Sequence, residues 1–112
     1  MSAPLAPPDR GWKGGKDHAA ALARLDALIG REGESPDRNA LRAEVRAAAG
    51  RYSQAVEDAE RAVELDPGSA RALAALGRAL ARAGRLEEAL ARLDAALRAA
   101  PGTPWLAAER AL

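Results

Sequence analysis

The sequence predicts an all-α protein, a solenoid of helical hairpins with about two and a half repeats and six helices in its 112 residues. Composition is the first observation behind this. There are 31 Ala and 15 Leu but only 3 Val, 1 Ile and no Phe, a mixture that favours helix and gives a sheet little to build on. The second is an internal repeat. ALARLDA at 21–27 returns at 89–95, an offset of 68, and Gly50-Arg51 and Pro67-Gly68 return 34 residues on as Gly84-Arg85 and Pro101-Gly102. The third is helical patterning at the same step. His18, Ala21, Leu22, Leu25, Leu28 and Ile29 share the i, i+3, i+4, i+7 rhythm with Tyr52, Ala55, Val56, Ala59, Ala62 and Val63, and again with Leu86, Ala89, Leu90, Leu93, Ala96 and Leu97. Each set forms one apolar stripe along a helix.

Taken in order, residues 1–16 carry Pro4, Pro7, Pro8, Gly11, Gly14 and Gly15, and read as a flexible tail. A helix is expected over about 17–31, stopped by Gly30 or Gly33, within an N-terminal unit 17–35. The repeat unit 36–69 opens with Ser35 as cap and Pro36 at the first helical position. Gly50 ends that helix in a left-handed cap. A second helix follows over about 53–65, stopped by Pro67-Gly68. The unit 70–103 repeats the plan: Ser69 caps a helix that ends at Gly84, and another runs over about 87–99 to Pro101-Gly102. A partial helix is expected over 104–112.

The formal net charge is +1, too balanced for a nucleic-acid or anionic-membrane binder. No apolar run approaches the length of a membrane span, and the N-terminus lacks the apolar stretch of a signal peptide, so a cytoplasmic protein is expected. Fifteen Arg against two Lys, with the Ala excess, reads as GC-rich coding and points to a bacterial source. Without Cys and with the single His18, thiolate chemistry and multi-histidine metal sites are excluded. His18 occupies the place of Tyr52 and Leu86 and reads as a packing or half-exposed residue, not a base. Ser35, Ser53 and Ser69 sit where helices start. Glu87 and Glu88 complement a helix dipole. Gly14-Gly15 has no strand before it and is no phosphate loop. No catalytic residue, cofactor or metal is assigned.

Residues 70–103 read Leu73-x2-Leu76-Gly77-x2-Leu80, then Gly84, Ala89-x3-Leu93, Ala96 and Pro101. This resembles the tetratricopeptide repeat, W-x2-L-G-x2-Y…A-x3-F…P, with Leu in all three aromatic places. Residues 36–69 match through Gly50, Tyr52, Ala55, Ala62 and Pro67. There Ala43 replaces the first Gly, and Asn39, Arg42, Arg46 and Ala59 stand where large apolar residues belong. The segment 17–35 resembles only the second helix of a repeat. Gly77 and Ala43 are expected to let helices approach closely, and units to stack because none buries its stripe alone.

The resemblance implies a concave groove, lined by the first helix of each hairpin, where peptides or partner helices dock. Arg71, Arg78 and Arg82 lie on one face of the helix 70–83, with Ala74 and Ala75 between them leaving room. They form the candidate partner-binding set, suited to acidic side chains or a terminal carboxylate. The competing reading is internal pairing, as Asp37–Arg71 and Glu44–Arg78, each 34 residues apart. Ala48 precedes Arg82 at that distance and cannot pair with it. Ala40, Ala74 and Glu44 occupy places where the chaperone-tail carboxylate clamp of the family has Lys or Asn, which disfavours a heat-shock chaperone partner. Trp12 is expected to be disordered with the tail or to dock in a groove. Trp105 is expected to pack as a lid or join an interface, with Leu112 on the same end surface. The expected function is a non-catalytic adaptor for a protein or peptide. Two alternatives stand beside it: self-association through the ends of the solenoid, and an accessory, partner-recruiting subunit of an enzyme system.

Overall fold

The computed structural model describes residues 11–100, with side chains from residue 17 onward. Five α-helices follow one another: α1 Gly11–Glu32, α2 Pro36–Ala48, α3 Tyr52–Leu65, α4 Ala70–Arg82 and α5 Leu86–Ala99. The sixth expected helix, with Trp105 and Leu112, lies outside the described residues, as does the side chain of Trp12.

The termini of α2 and α4 are built alike. The Ser35 hydroxyl accepts from the Arg38 N–H at 3.0 Å and the Ser69 hydroxyl from the Ala72 N–H at 3.1 Å, relieving a donor the first turn leaves unpaired. At the other end Gly50 and Gly84 take φ of +83° and +87°, values an L side chain resists. The turn then closes by Arg51 N–H to Arg46 C=O at 2.8 Å and Arg85 N–H to Leu80 C=O at 2.9 Å. That is the doubled-back helix ending of a Schellman motif. Between the hairpins, Asp66 accepts from the Gly68 N–H at 3.1 Å, and Pro67 bars continuation of α3.

α1 corrects the expected tail boundary. Its helix starts at Gly11, not near residue 17. Pro8 is the last proline before Pro36. Gly11, Gly14 and Gly15 weaken a helix by about 1 kcal/mol each without removing a hydrogen bond, so they do not stop it as proline does. Gly30 likewise stays within the helix, and Gly33, at φ +92°, follows its end.

α2 pairs with α3 and α4 with α5; α4 also packs on α2 and α3, and α1 lies on α2. α4 is the central element, with eight of its thirteen residues buried. Alanines dominate the core, among them Ala40, Ala43, Ala55, Ala59, Ala62, Ala75 and Ala79, and they let the helices sit close. A Cβ on Gly77 would lie 2.8 Å from Leu93 Cδ2 and Cγ and 3.2 Å from the Ala89 carbonyl, so α4 meets α5 where only glycine fits. Leu22 and Leu25 of α1 are buried, while Leu28 and Ile29 are only half-buried. The stripes of the second helices are also not fully covered: Tyr52, Leu86 and Leu90 are exposed.

Candidate functional site

α2 and α4 run side by side and leave a concavity of about 110 Å³ between them. Ala43, Ala47, Ala75 and Ala79 line it with methyl groups, and Glu44, Arg78 and Arg82 stand on its walls. Of the expected arginine set, Arg78 and Arg82 line this concavity and Arg71 does not, and the two alanines also differ from expectation. Ala74 does not open the groove; it is fully buried, clustered with Leu73 and Ala96. Ala75 lines the groove but is itself nearly buried. Both alanines fill helix contacts, because α4 is covered on several sides.

The expected internal pairing is half right. Arg78 Nη2 meets Glu44 Oε2 at 3.2 Å. Arg71 reaches the same carboxylate, Nη2 to Oε1 at 3.4 Å, and not Asp37. One carboxylate has two oxygens, so Glu44 can hold one guanidinium on each. Arg82 is exposed on the groove wall and makes no ion pair among the described residues. A hollow of about 330 Å³ lies between α3 and α5, but it opens to solvent and Arg85 on its rim is held by Glu88.

A polar cluster under the first hairpin escaped the sequence reading. Asp58 of α3 is nearly buried. Its Oδ1 accepts from Arg42 Nη2 at 3.0 Å, and its Oδ2 from Arg42 Nε at 3.2 Å and Arg46 Nη1 at 2.8 Å. Arg42 Nη1 also donates to Asp26 Oδ1 of α1 at 2.7 Å. Burial opposes the charge of Arg42, yet the hydrogen bonds and charges of Asp58 and Asp26 outweigh it and raise its pKa. Asn39 is fully buried, and among the described residues its Oδ1, its Nδ2 and Arg46 Nε have no hydrogen-bond partner. A signal was present: two arginines at core positions of the repeat require a carboxylate, and Asp58 is the acidic residue of α3 on its buried side.

At the surface, Arg61 Nε bonds Glu34 Oε1 at 2.6 Å and so lowers the Glu34 pKa. The nearby Asn39 amide adds a smaller pull without closing a hydrogen bond. Arg85 lowers Glu88 in the same way. Among the described residues no group of three or more His, Asp or Glu is arranged to hold a metal ion, and no helix is long and apolar enough to cross a membrane.

Two stacked helical hairpins with a 34-residue step and glycine-ended first helices form the frame, and the family model described as "Tetratricopeptide repeat" matches residues 46–112. The chain belongs to the tetratricopeptide repeat family. Solved tetratricopeptide repeat structures superpose on it closely. The first TPR of Spaghetti (RPAP3), bound to the HSP90 peptide SRMEEVD, is 21% identical with a TM-score of 0.78, over 88% of this chain and 82% of that one. The second TPR domain of human RPAP3, in complex with the HSP70 peptide SGPTIEEVD, is 25% identical with a TM-score of 0.77, over 90% and 84%. Comparison with curated proteins gives no match. In the TPR frame, α2 and α4 are the first helices of their repeats, and Asn39, Arg42 and Arg46 occupy the places of Leu73, Leu76 and Leu80.

Proposed function

We propose that this chain is a non-catalytic adaptor that holds a segment of another protein in the groove between α2 and α4, with Arg82 taking a carboxylate of that segment. The observation carrying the reading is an exposed guanidinium, without an ion pair among the described residues, beside a wall of methyl groups. Such a surface admits a close-lying backbone and rewards one negative charge. The likeness to human RPAP3 supports it, since that domain holds SGPTIEEVD, a peptide with three acidic residues. Here Ala40 is buried and Glu44 is engaged by arginines. Recognition thus rests on Arg82 and the alanine wall, not on a ring of cations.

The test is titration of a partner, captured on the immobilised chain and identified, against the parent, Arg82→Ala and Arg71→Ala. A charge-assisted contact is worth roughly 1.5–3 kcal/mol, so Arg82→Ala weakens binding by about ten-fold or more with an unchanged melting temperature. Arg71→Ala, which loses an exposed internal pair, changes affinity far less. Equal affinity of the parent and Arg82→Ala removes the groove from the binding site.

A further inference from the structure

One passage of the chain occurs twice, and the agreement extends past the heptad ALARLDA at 21–27 and 89–95. Ser35-Pro36 returns 68 residues on as Thr103-Pro104, and Ala40, Arg42 and Ala43 return as Ala108, Arg110 and Ala111. Ser and Thr both cap helices, and proline suits the first helical position. The 34-residue step alone does not produce this agreement. The unit between has Glu60, Leu76 and Gly77 at the places of Asp26, Arg42 and Ala43.

At its first occurrence the passage builds a helix contact. The heptad lies in α1, which packs on α2. Leu22 is 6% exposed, and Ala40 and Ala43 of α2 are buried. Asp26 Oδ1 accepts from Arg42 Nη1 at 2.7 Å, tying the heptad to a residue 16 positions on. At its second occurrence the heptad lies in α5. Leu90 takes the place of Leu22 and is 45% exposed. Asp94 takes the place of Asp26, and 16 positions on stands Arg110.

We propose that the outer face of α5 is the docking surface for the chain's own residues 104–112, seated in the register in which α2 sits on α1. Ala108 and Ala111 approach the helix, and Arg110 closes on Asp94. The segment begins within a few residues of the end of α5, so it reaches that face at a far higher effective concentration than a second molecule does. The register also sets its outward side. Trp105 takes the place of Asp37 and Arg71, both exposed, and stays at the surface instead of packing as a lid. The contact is distinct from the groove between α2 and α4.

The experiment is amide hydrogen exchange of the full chain at a low and a high concentration, with a synthetic peptide of residues 101–112 as reference. So short a segment is a marginal helix in water on its own, so slowed exchange over 107–112 reports docking. In the parent these amides exchange about ten-fold or more slower than in the peptide, equally at both concentrations. Ala108→Glu returns them to the peptide rate, while Trp105→Ala leaves them slow. Asp94→Arg speeds them, and Arg110→Asp added to it restores the protection. The amides of α4 stay slow in every variant, as the check that the array is intact. Peptide-like exchange in the parent, protection that grows with chain concentration, or an Asp94→Arg variant that Arg110→Asp does not rescue overturns the proposal.

Discussion

The two hairpins share a backbone plan but solve their interiors in different ways. In α4–α5 the core is Leu73, Leu76, Leu80 and Leu93 closed around Gly77. In α2–α3 the places of the first three are taken by Asn39, Arg42 and Arg46, and Asp58 ties the arginines together. The repeat geometry thus tolerates polar and charged residues at these three places beside the alanine core of α2 and α3, provided each buried charge has a partner. The two interiors differ in what they tolerate. Leucines lose energy by degrees as they are trimmed, while a charge cluster fails when one member goes, because the remaining charges are stranded.

The largest expected effect follows from that contrast. Asp58→Ala leaves the largely buried Arg46 guanidinium without a carboxylate and Arg42 with only the exposed Asp26, and costs about 3 kcal/mol, read as a fall in the denaturant midpoint. Arg92→Ala, the same place one repeat later but exposed, stays within about 0.5 kcal/mol. Next comes conversion of the first interior into the second. The triple variant Arg42→Leu, Arg46→Leu and Asp58→Leu is expected to match or exceed the parent in stability by about 1–4 kcal/mol; a loss as large as that of Asp58→Ala breaks the comparison. The second hairpin fails by crowding instead: Gly77→Ala pushes a methyl into Leu93 and costs about 1–3 kcal/mol in thermal unfolding. The smallest effect is at Glu34. Its pKa is lowered in the folded chain by Arg61, so its contribution is present above the ordinary glutamate range and lost as pH falls through the folded value. Melts of Glu34→Gln therefore differ slightly from the parent at neutral pH and converge in acid.

What could be read in the sequence was whatever depends on neighbours along the chain. Ser35, Ser69, Gly50 and Gly84 announced helix ends because capping is decided within a few residues, and the 34-residue step announced the hairpins. The start of α1 was missed because glycines look like breakers in a list but only weaken a helix. The shared helix face of Arg71, Arg78 and Arg82, of which Arg78 and Arg82 reach the groove, followed from spacing on one helix. The partner of Arg71 did not, since the choice between Asp37 and Glu44 depends on how long side chains lie across two helices. Asp58 was missed for the same reason. Its partners are 12 and 16 residues away, and no local pattern reports a charge cluster that forms only when α2 folds over α3. The exposure of Leu86 and Leu90 was hidden too, because a stripe shows which face is apolar and not what lies against it.

Glu44 gives the groove a property that a count of its arginines conceals. It already occupies Arg71 and Arg78 with a carboxylate of the chain's own, so an acidic segment arriving there exchanges one negative group for another and gains little from charge. Discrimination then passes to whatever Glu44 cannot imitate: a backbone narrow enough for the alanine wall, and a second charge placed to reach Arg82. On the proposed adaptor reading the groove carries a resident decoy, and is expected to be indifferent to merely acidic proteins and attentive to shape.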